Sequence, residues 1–350
     1  MGTRRGRVSV IYFISKLVKW DDLGMEIISN WTQEAIKKAV NALIEGNLVA
    51  FPTETVYGLG ADANNKNAVG RVYEVKGRPI DHPLIVHIGS VEQLLDWASK
   101  VPDYAYVLAQ EFWPGPLTLI LPRNLHVGKF LTGGQDSVGI RIPNNPIALD
   151  LLKEFGRLGK GGIAAPSANK FGLVSPTSSI DVYRDLASRL GKDDLLIDGG
   201  VSKFGIESTI VSCLDSQPKI VRPGFITPEK IKEKTNIDIS YAKSENNFRV
   251  SGSLNTHYSP AVEVAINTVV FKGDAFLALS SVPTPVGAKR IASPKTIQEF
   301  AKHLYKYFRM CDELGMKRLV VVTPKGPGLA IAIKDRIHKA GGVAYNFDSD

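Results

Sequence analysis

The hydrophobic pattern of the first 235 residues predicts strands and helices in alternation. Apolar residues follow Thr32 at helical spacing, and threonine is a common helix cap, so the pattern predicts a helix over residues 32–45 that ends at Gly46. An apolar run at residues 48–51 then predicts a buried strand. Further helices are predicted at residues 67–76, 91–99, 104–112, 146–155 and 179–190, and further strands at residues 84–88, 117–121, 138–142, 163–165, 195–197, 209–214 and 219–221.

The rest of the chain predicts a linker and a second, smaller unit. Residues 236–255 are polar and poorly periodic, which is typical of a linker. Alternation between strands and helices resumes after residue 260, as expected for a small open-sheet α/β unit. Its predicted elements are strands at residues 262–266 and 318–322, an apolar segment at residues 276–279, and helices at residues 297–314 and 329–340. We therefore expect an N-terminal extension (1–26), an α/β domain (27–235), a linker (236–260) and a C-terminal α/β domain (261–350).

Composition favours a soluble protein of a reducing compartment. The 350 residues are 44% apolar and 22% charged, enough to bury full cores in two domains. No apolar run approaches the roughly 20 residues that a membrane helix needs, so we expect a cytoplasmic protein with no membrane partner. Cys213 and Cys311 lie far apart in apolar contexts, which argues against a disulfide framework or a zinc site. Residues 1–24 resemble a signal peptide, but no small-residue cleavage site follows their short apolar run. We therefore favour an extended or misassigned start of the chain over a segment that anchors the protein to a surface.

The net charge of +8 raises the hypothesis of nucleic-acid binding. Its distribution weakens that hypothesis, because residues 25–260 hold 25 Lys and Arg against 25 Asp and Glu. The excess lies in residues 1–24, with +3, and in residues 261–350, with +5. A double-stranded-RNA or tRNA-binding module whose basic pairs grip phosphates stays open as an alternative function.

No common phosphate or zinc motif accounts for this chain. It has no Walker A pattern, no dinucleotide Gly-x-Gly-x-x-Gly and no His-Glu-x-x-His. Side chains would have to hold a nucleotide instead, and Lys76 and Arg78, at the end of a predicted helix, suit an anion with several charged oxygens. Each arginine alone could equally cap a helix end or pair with a surface carboxylate. Other candidates for anion or ribose contacts are Arg141, Arg222, Ser137, Ser167, Ser175 and Asn169.

The order and spacing of several short stretches are more informative than any one of them. They are Pro-Thr-Glu-Thr-Val-Tyr-Gly-Leu (52–59), Lys-Gly-Arg-Pro (76–79), Leu-Ile-Val-His (84–87), Trp-Pro-Gly-Pro-Leu-Thr (113–118), Ser-Val-Gly-Ile-Arg-Ile-Pro (137–143), Ala-Pro-Ser-Ala-Asn (165–169), Gly-Ile-Glu-Ser-Thr-Ile (205–210) and His-Tyr-Ser-Pro (257–260). The series closely resembles the YrdC-domain family in its long form, the archaeal-type threonylcarbamoyl-AMP synthases. This resemblance is dense over residues 27–260 and thinner over residues 261–350. It implies a YrdC-like twisted mixed sheet with flanking helices as the catalytic domain, followed by a small Rossmann-like open-sheet α/β domain.

The resemblance also implies the ligand contacts. Lys76 and Arg78 are the expected catalytic residues. Expected ATP contacts are Lys76, Arg78, His82, Ser137, Ser167, Asn169, Ser175, Arg222 and Tyr258, and expected L-threonine contacts are Thr55, His87, Arg141, the Ala165 backbone and Ser208. His82 departs from the family pattern, in which this position is often Asn, although a ring nitrogen could keep the contact. As an isolated histidine, His87 would more often be structural.

The implied reaction joins L-threonine, bicarbonate and ATP into threonylcarbamoyl-AMP and releases pyrophosphate, for the threonylcarbamoyl modification of adenosine beside the tRNA anticodon. Mg²⁺ would accompany ATP, while the metal ligands stay unknown; Glu207 and Asp198 could each approach a metal or be structural. The resemblance allows a transient contact with the tRNA-modifying transferase and does not require tRNA binding. His257 and Tyr258 lie in the predicted linker, where we expect no core to pack against, so we expect them to close over the site.

Overall fold

The computed structural model describes residues 25–159, 161–242, 249–250, 252 and 256–345. Within these ranges no helix is long and apolar enough to cross a membrane. The predicted N-terminal extension falls almost wholly on residues 1–24, which lie outside the described residues, and so does much of the predicted linker.

Eleven of the described strands form one mixed sheet, in the order β1-β8-β2-β3-β7-β4-β6-β5-β9-β10-β11. The sheet contains both parallel pairs, such as β4 with β6, and antiparallel pairs, such as β5 with β6. These strands are β1 (Glu26–Ile28), β2 (Val49–Phe51), β3 (Gly58–Asp62), β4 (Ile85–His87), β5 (Leu117–Pro122), β6 (Ser137–Arg141), β7 (Ile163–Ala164), β8 (Leu195–Ile197), β9 (Thr209–Ser212), β10 (Lys219–Arg222) and β11 (Ser240–Tyr241).

Helices cover both faces of this sheet. Helices α1 and α5 pack on one face, where Val40, Leu43 and Phe155 are fully buried, and α2 and α4 bury Val72 and Leu108 on the other. The side chain of Thr32 caps α1 by accepting a 3.2 Å hydrogen bond from the Ala35 amide, as the sequence predicts. The helices of this domain are α1 (Gln33–Ile44), α2 (Lys66–Lys76), α3 (Leu94–Trp97), α4 (Asp103–Phe112), α5 (Pro146–Arg157), α6 (Ser179–Leu186) and α7 (Pro228–Thr235).

A second sheet of four parallel strands follows, in the order β12-β15-β13-β14. It comprises β12 (Glu263–Ile266), β13 (Ala275–Leu277), β14 (Lys289–Ala292) and β15 (Arg318–Val321), with helices α8 (Ile297–Glu313) and α9 (Leu329–Ala340). The predicted fold class, a large mixed sheet with flanking helices and a small parallel α/β unit, is confirmed.

Five strands were not predicted from the sequence, one of which, β13, was expected only as an apolar segment. Strand β3 reads Gly-Leu-Gly-Ala-Asp and is buried at all five positions, so it shows neither alternation nor β-branched residues. Strands β1, β11 and β14 are short and partly exposed, with little hydrophobic signal. The predicted helix at residues 91–99 was too long: a 3₁₀ turn, Val91–Gln93, precedes the four-residue α3.

The two sheets share a hydrophobic cluster. Val56, Val174 and Ile206 of the large domain pack with Tyr258 and with the inner face of α8, including Phe308. The expectation that Tyr258 has no core to pack against was therefore wrong: it is 1% exposed and belongs to this cluster. Part of the predicted linker is also a strand, because β11 extends the large sheet beside β10.

Candidate active site

A cavity lies where the loops after several strands of the large sheet converge on the residues around Tyr258. In the parallel pair β4 and β6, His87 stands opposite Arg141, which brings both side chains to one edge of the sheet. The lining consists of Thr53, Thr55, Val56, Tyr57, Gly58, Arg78, Ile85, His87, Arg141, Ala165, Pro166, Ser167, Glu207, Ser208, Arg222, Gly252, His257 and Tyr258.

Many residues predicted from separate stretches meet in this cavity. The whole predicted threonine set lines it, namely Thr55, His87, Arg141, Ala165 and Ser208, together with four predicted ATP contacts, Arg78, Ser167, Arg222 and Tyr258. The other five predicted ATP contacts do not line it: these are Lys76, His82, Ser137, Asn169 and Ser175. Ser137 lines a second cavity, which shares Ile85 with the first and is also lined by Arg249 and Val250.

Arg141 is held by a buried carboxylate. Its Nη2 donates to Glu54 Oε1 at 2.6 Å, and its Nε donates to the Gly115 carbonyl at 3.3 Å. Both charged side chains are at most 5% exposed. This pairing fixes the plane of the guanidinium and leaves Nη1 with no protein partner among the described residues, so Nη1 can receive an anion.

Arg222 and Ser208 form a second polar group in the wall. Arg222 donates through Nε to the Ser208 carbonyl at 3.1 Å and through Nη2 to Ser208 Oγ at 3.0 Å. Ser208 Oγ also lies 2.8 Å from the Thr118 hydroxyl. The predicted ATP contact and the predicted threonine contact are therefore joined directly.

Arg78 follows the Gly77 cap of α2 and turns toward the cavity. It donates to the carbonyls of His82 and Pro83 at 3.3 and 2.9 Å, and its guanidinium lies 5.5 Å from the centre of the Phe171 ring. His82 packs edge-on against the same ring and does not reach the cavity. Burial lowers the pKa of Arg78 to about 10, which leaves it cationic at neutral pH.

Lys76 has a different place from the one predicted. Its Nζ donates to the carbonyls of Ser167 and Asn169 at 2.6 and 2.5 Å. Lys76 therefore stabilises the Ser-Ala-Asn turn without lining the cavity itself. Burial, followed by the nearby charge of Arg78, lowers the pKa of Lys76 well below its ordinary value. A direct contact of Lys76 with phosphate stays a prediction.

Several buried polar atoms around the cavity have no hydrogen-bond partner within the described part of the chain. Buried polar groups are normally paired, so such a cluster indicates a place for a polar ligand. Burial and then the charge of Arg141 lower the pKa of His87 to about 3, and burial lowers that of His257 to about 3, so both rings are neutral. The unpaired atoms here are Glu54 Oε2, His87 Nδ1, Asn169 Oδ1, His257 Nδ1, Tyr258 Oη and Ser259 Oγ.

Tyr258 occupies the cavity wall in an unusual backbone conformation. Its φ is 61°, a left-handed value that L residues rarely adopt, and Gly252 passes directly beside it. A Cβ on Gly252 would lie 2.2 Å from Tyr258 Oη, so only glycine permits this approach. Such strain is kept where surrounding contacts enforce it and is common at ligand sites.

The sequence did not point to four residues that organise the site. Glu54 lies inside the Pro-Thr-Glu-Thr stretch and Phe171 follows the Ser-Ala-Asn stretch, but the sequence predicts a ligand contact for neither. Tyr305 and Arg336 lie in the C-terminal unit and donate to Glu207. Glu207 is therefore occupied by protein partners, and no group of three or more His, Cys, Asp or Glu among the described residues could hold a metal ion.

Comparisons with known proteins agree with this architecture. A family model described as telomere recombination matches residues 41–224, and one described as the threonylcarbamoyl-AMP synthase C-terminal domain matches residues 226–342. The chain is 39% identical to the threonylcarbamoyl-AMP synthase of Pyrococcus abyssi, over 91% of this chain and 96% of that protein. It is 36% identical to the Bacillus subtilis protein of that name, over 92% and 96%. The crystal structure of P. abyssi Sua5 complexed with L-threonine superimposes with a TM-score of 0.80 at 36% identity, covering 91% of this chain and 97% of the other.

The fold and the cavity define a two-unit α/β protein with a buried, arginine-lined ligand site. The sequence relationship is close enough to name the group within that class. The chain belongs to the threonylcarbamoyl-AMP synthase family.

Proposed function

We propose that this protein makes L-threonylcarbamoyladenylate and diphosphate from L-threonine, bicarbonate and ATP. One observation carries the proposal: three arginines line a single buried cavity together with His87, His257 and Tyr258, each of which has an unpaired polar atom, and these residues come from both the threonine and the ATP stretches. The relatives named threonylcarbamoyl-AMP synthase and the relative solved with L-threonine support it. The product would supply the threonylcarbamoyl group for adenosine in tRNA, transferred by a separate enzyme.

The threonine end of the site is formed by Arg141, His87 and Ser208. The Nη1 group of Arg141 would bind the amino-acid carboxylate, since a guanidinium fits a planar anion well. Because Glu54 and Gly115 hold the other edge of this guanidinium, it is oriented before the ligand arrives. The neutral ring of His87 and the hydroxyl of Ser208 can each take part in a hydrogen bond to threonine without adding charge.

The nucleotide end is formed by Arg78, Arg222 and Ser167, together with Tyr258 from the same cavity lining. The arginines would face the phosphates, and Mg²⁺ would enter with ATP as part of the substrate. Lys76 would act by holding the turn that carries Ser167 and Asn169. Positioned charges of this kind neutralise a triphosphate and a leaving diphosphate without a covalent intermediate.

The chemistry requires two anions to meet. The neutral threonine amine forms a C–N bond with carbon dioxide, releasing a proton, or with bicarbonate, releasing water, and either route gives a carbamate anion. A carbamate oxygen then attacks the α-phosphate, and the bond to the departing diphosphate breaks. A free carbamate readily loses carbon dioxide, so the buried wall formed by His257 and Tyr258 would protect it by excluding water.

The burial of the arginines argues against the alternative of an RNA-binding module. Arg78 is 7% exposed, and Arg141 and Arg222 are each 4% exposed. The phosphates of an RNA duplex cannot reach guanidiniums enclosed in this way, whereas a small ligand in the cavity can. An RNA module would also show affinity that falls steeply with salt and no need for threonine.

Pyrophosphate release tests the proposal directly. We expect release from ATP to require both L-threonine and bicarbonate, with D-threonine and L-serine as controls for the amino-acid site. Release that ignores threonine, or salt-sensitive tRNA binding without any threonine-dependent release, would contradict the proposed reaction.

A further inference from the structure

Two side chains of the C-terminal unit reach the cavity wall through Glu207. The carboxylate of Glu207 accepts hydrogen bonds from Tyr305 Oη at 2.9 and 3.0 Å and from Arg336 Nε at 2.7 Å. It also accepts a 2.7 Å bond from the hydroxyl of Ser175, a predicted ATP contact. Glu207 lines the cavity beside Ser208, while Tyr305 and Arg336 do not line it.

Arg336 contacts two further stretches that form the wall. Its Nη2 donates to the Pro223 carbonyl at 3.0 Å, next to Arg222. Its guanidinium lies 5.2 Å from the centre of the Tyr258 ring, and Tyr305 stacks on the same ring at 5.7 Å. One fully buried side chain from α9 thus touches the stretches that carry Glu207, Arg222 and Tyr258.

The carboxylates in this cluster are each paired with a cation. Burial alone would raise the pKa of Glu207, but the charges of Arg336 and Arg222, with the hydrogen bond from Ser175, hold it at about 2. Arg336 also pairs with Asp335, which in turn accepts from Lys339. Buried ion pairs are often no more stabilising than well-packed apolar residues. A directional role in fixing geometry therefore explains this cluster better than stability alone.

We propose that Arg336 and Tyr305 are positioning residues of the C-terminal unit that complete the nucleotide side of the site by fixing Glu207. Through Glu207 they orient Ser175, and Arg336 additionally fixes the backbone beside Arg222 and the ring of Tyr258. The C-terminal unit is then an integral part of the binding wall. The identity of the ligand as ATP rests on the proposed function. The coupling of Arg336 and Tyr305 to the cavity wall through Glu207 does not.

The first test compares two variants with a matched control. Tyr305→Phe removes only the hydroxyl that donates to Glu207 and keeps the ring stack, so it should fold. Arg336→Met removes the positive charge and the guanidinium that donates to Glu207 and to the Pro223 carbonyl. Arg318→Met is the control, because Arg318 is a half-buried arginine of the same unit that pairs with Asp274 at 2.6 Å, away from the cavity.

We expect Arg336→Met to weaken ATP binding by about tenfold or more, the size of effect that residues coupled to a site without touching the ligand can have. Tyr305→Phe should act in the same direction but less strongly. L-threonine binding, followed separately by calorimetry, should change less than ATP binding in both variants. Arg318→Met should lower the melting temperature without this selective effect.

A double-mutant cycle distinguishes positioning from general destabilisation. If Arg336 acts through Glu207, then Arg336→Met in a Glu207→Gln background should weaken ATP binding much less than it does in the wild type. Additive effects would overturn the proposal. So would an equal loss of ATP binding in Arg336→Met and Arg318→Met.

Hydrogen exchange gives a readout that does not depend on the reaction. Peptides covering residues 205–210, 221–226 and 256–260 should exchange faster in Arg336→Met and Tyr305→Phe than in Arg318→Met. Unchanged exchange there would overturn the proposal even if the enzyme is fully active. A wild-type protein without threonine-dependent pyrophosphate release would instead contradict only the proposed function.

Discussion

Each buried arginine of the site has part of its hydrogen-bonding capacity taken by the protein. Arg141 is held by Glu54 and Gly115, and Arg222 is held by Ser208. These contacts remove freedom that a ligand would otherwise have to restrict on binding, so the arginines are oriented in advance. A lysine at the same positions could supply the charge but not the rigid fork.

Replacing Arg141 with Lys should weaken L-threonine binding while leaving ATP binding nearly unchanged. One ammonium cannot satisfy Glu54, reach Gly115 and also donate to the threonine carboxylate from the fixed plane that the guanidinium keeps. Calorimetry with each ligand separately is the measurement. An equal loss for both ligands would mean that Arg141 supports the fold rather than the amino acid.

Replacing Arg78 with Ala should lower turnover far more than it lowers threonine affinity. Loss of one charge-assisted contact in a catalytic site commonly costs about 2 to 4 kcal/mol of transition-state stabilisation, roughly a 30- to 1000-fold loss of rate. Lys76→Ala should also lower turnover, because the turn carrying Ser167 and Asn169 loses its support. Steady-state kinetics with ATP and threonine varied in turn provide the check, and near-normal turnover in both variants would refute these roles.

Site residues could be predicted from the sequence where they lie inside recognisable stretches. Their contact partners from distant parts of the chain could not. His87, Arg141 and Ser208 could be grouped because each stands in a stretch with a recognisable order. Arg336 could not, since its partner Glu207 is 129 positions away and nothing local distinguishes it from a surface arginine. Lys76 could be singled out from its own stretch, but its carbonyl partners, which come from a different loop, could not.

At the scale of elements, loops between strands of the large sheet place most of the site, and one of them is locked against the C-terminal unit. Gly205 has a φ of 76°, and a Cβ there would lie 2.1 Å from the Lys302 carbonyl oxygen on α8. The amides of Phe204 and Gly205 donate to the carbonyls of Glu54 and Thr55. The loop before β9 is therefore fixed from both sides, and Ser208 follows it directly.

Gly205→Ala should destabilise the protein and impair the site together. Gly200→Ala is a matched control, because Gly200 has a φ of 75° but no atom lies near its Cβ position. Both substitutions bear the cost of a left-handed alanine, about 1 to 2 kcal/mol. Only Gly205→Ala adds an overlap with backbone, which typically costs a further 1 to 3 kcal/mol. Thermal melts and turnover are the measurements, and similar losses in both variants would show that the close contact with α8 is unimportant.

Predictions of elements succeeded where local signals were strong. Thr32 and Gly46 delimit α1 in the sequence as they do in the structure, where Gly46 has a φ of 85°. Strand β3 was not predicted because two of its five residues are glycines, which rarely favour strands. Its place in the sheet depends on pairing with β2 and β7. Such strands are specified by their neighbours more than by their own residues.

At the scale of the whole molecule, the two units are joined by a common hydrophobic cluster and by buried ion pairs. Val56, Val174 and Ile206 are buried against the C-terminal unit, and Arg309 of α8 pairs with Asp185 of α6 at 2.7 Å. Removing the C-terminal unit would therefore expose apolar surface and leave Glu207 without two of its partners.

A chain cut after Thr235 should still fold its large sheet but make threonylcarbamoyl-AMP poorly. Most core elements of that sheet precede the cut, although β11 and the wall at Tyr258 are lost. In the full-length chain, Tyr258→Ala should reproduce part of the defect, whereas Tyr258→Phe keeps the packing and tests the unpaired hydroxyl alone. The assay is threonine-dependent pyrophosphate release together with recovered product. If the truncated domain is as active as the full chain, the residues around Tyr258 serve only to connect the two units.

Acid should destabilise the protein partly through Glu207. The pKa of Glu207 is about 2 in the folded protein against an ordinary value of 4.5, so its stabilisation is present above pH 4.5 and is lost as the pH falls toward 2. The shift corresponds to about 3 kcal/mol as an order of magnitude. Denaturant unfolding at pH 6 and pH 3 should show the wild type losing more stability than Glu207→Gln over this interval. Parallel losses in the two proteins would contradict this role of Glu207.

The separation of Glu207 from Arg336 along the chain bears on how the protein is made. A ribosome releases Glu207 long before Arg336 leaves the exit tunnel, so the nascent chain holds this acidic group without its counter-ion. Until then, water can solvate the carboxylate, and the segment before β9 is held only by its contacts within the large domain, such as those of Phe204 and Gly205 with Glu54 and Thr55. The cavity thus reaches its final form only at the end of synthesis, and a prematurely terminated chain would carry an open, solvated site in place of a working one.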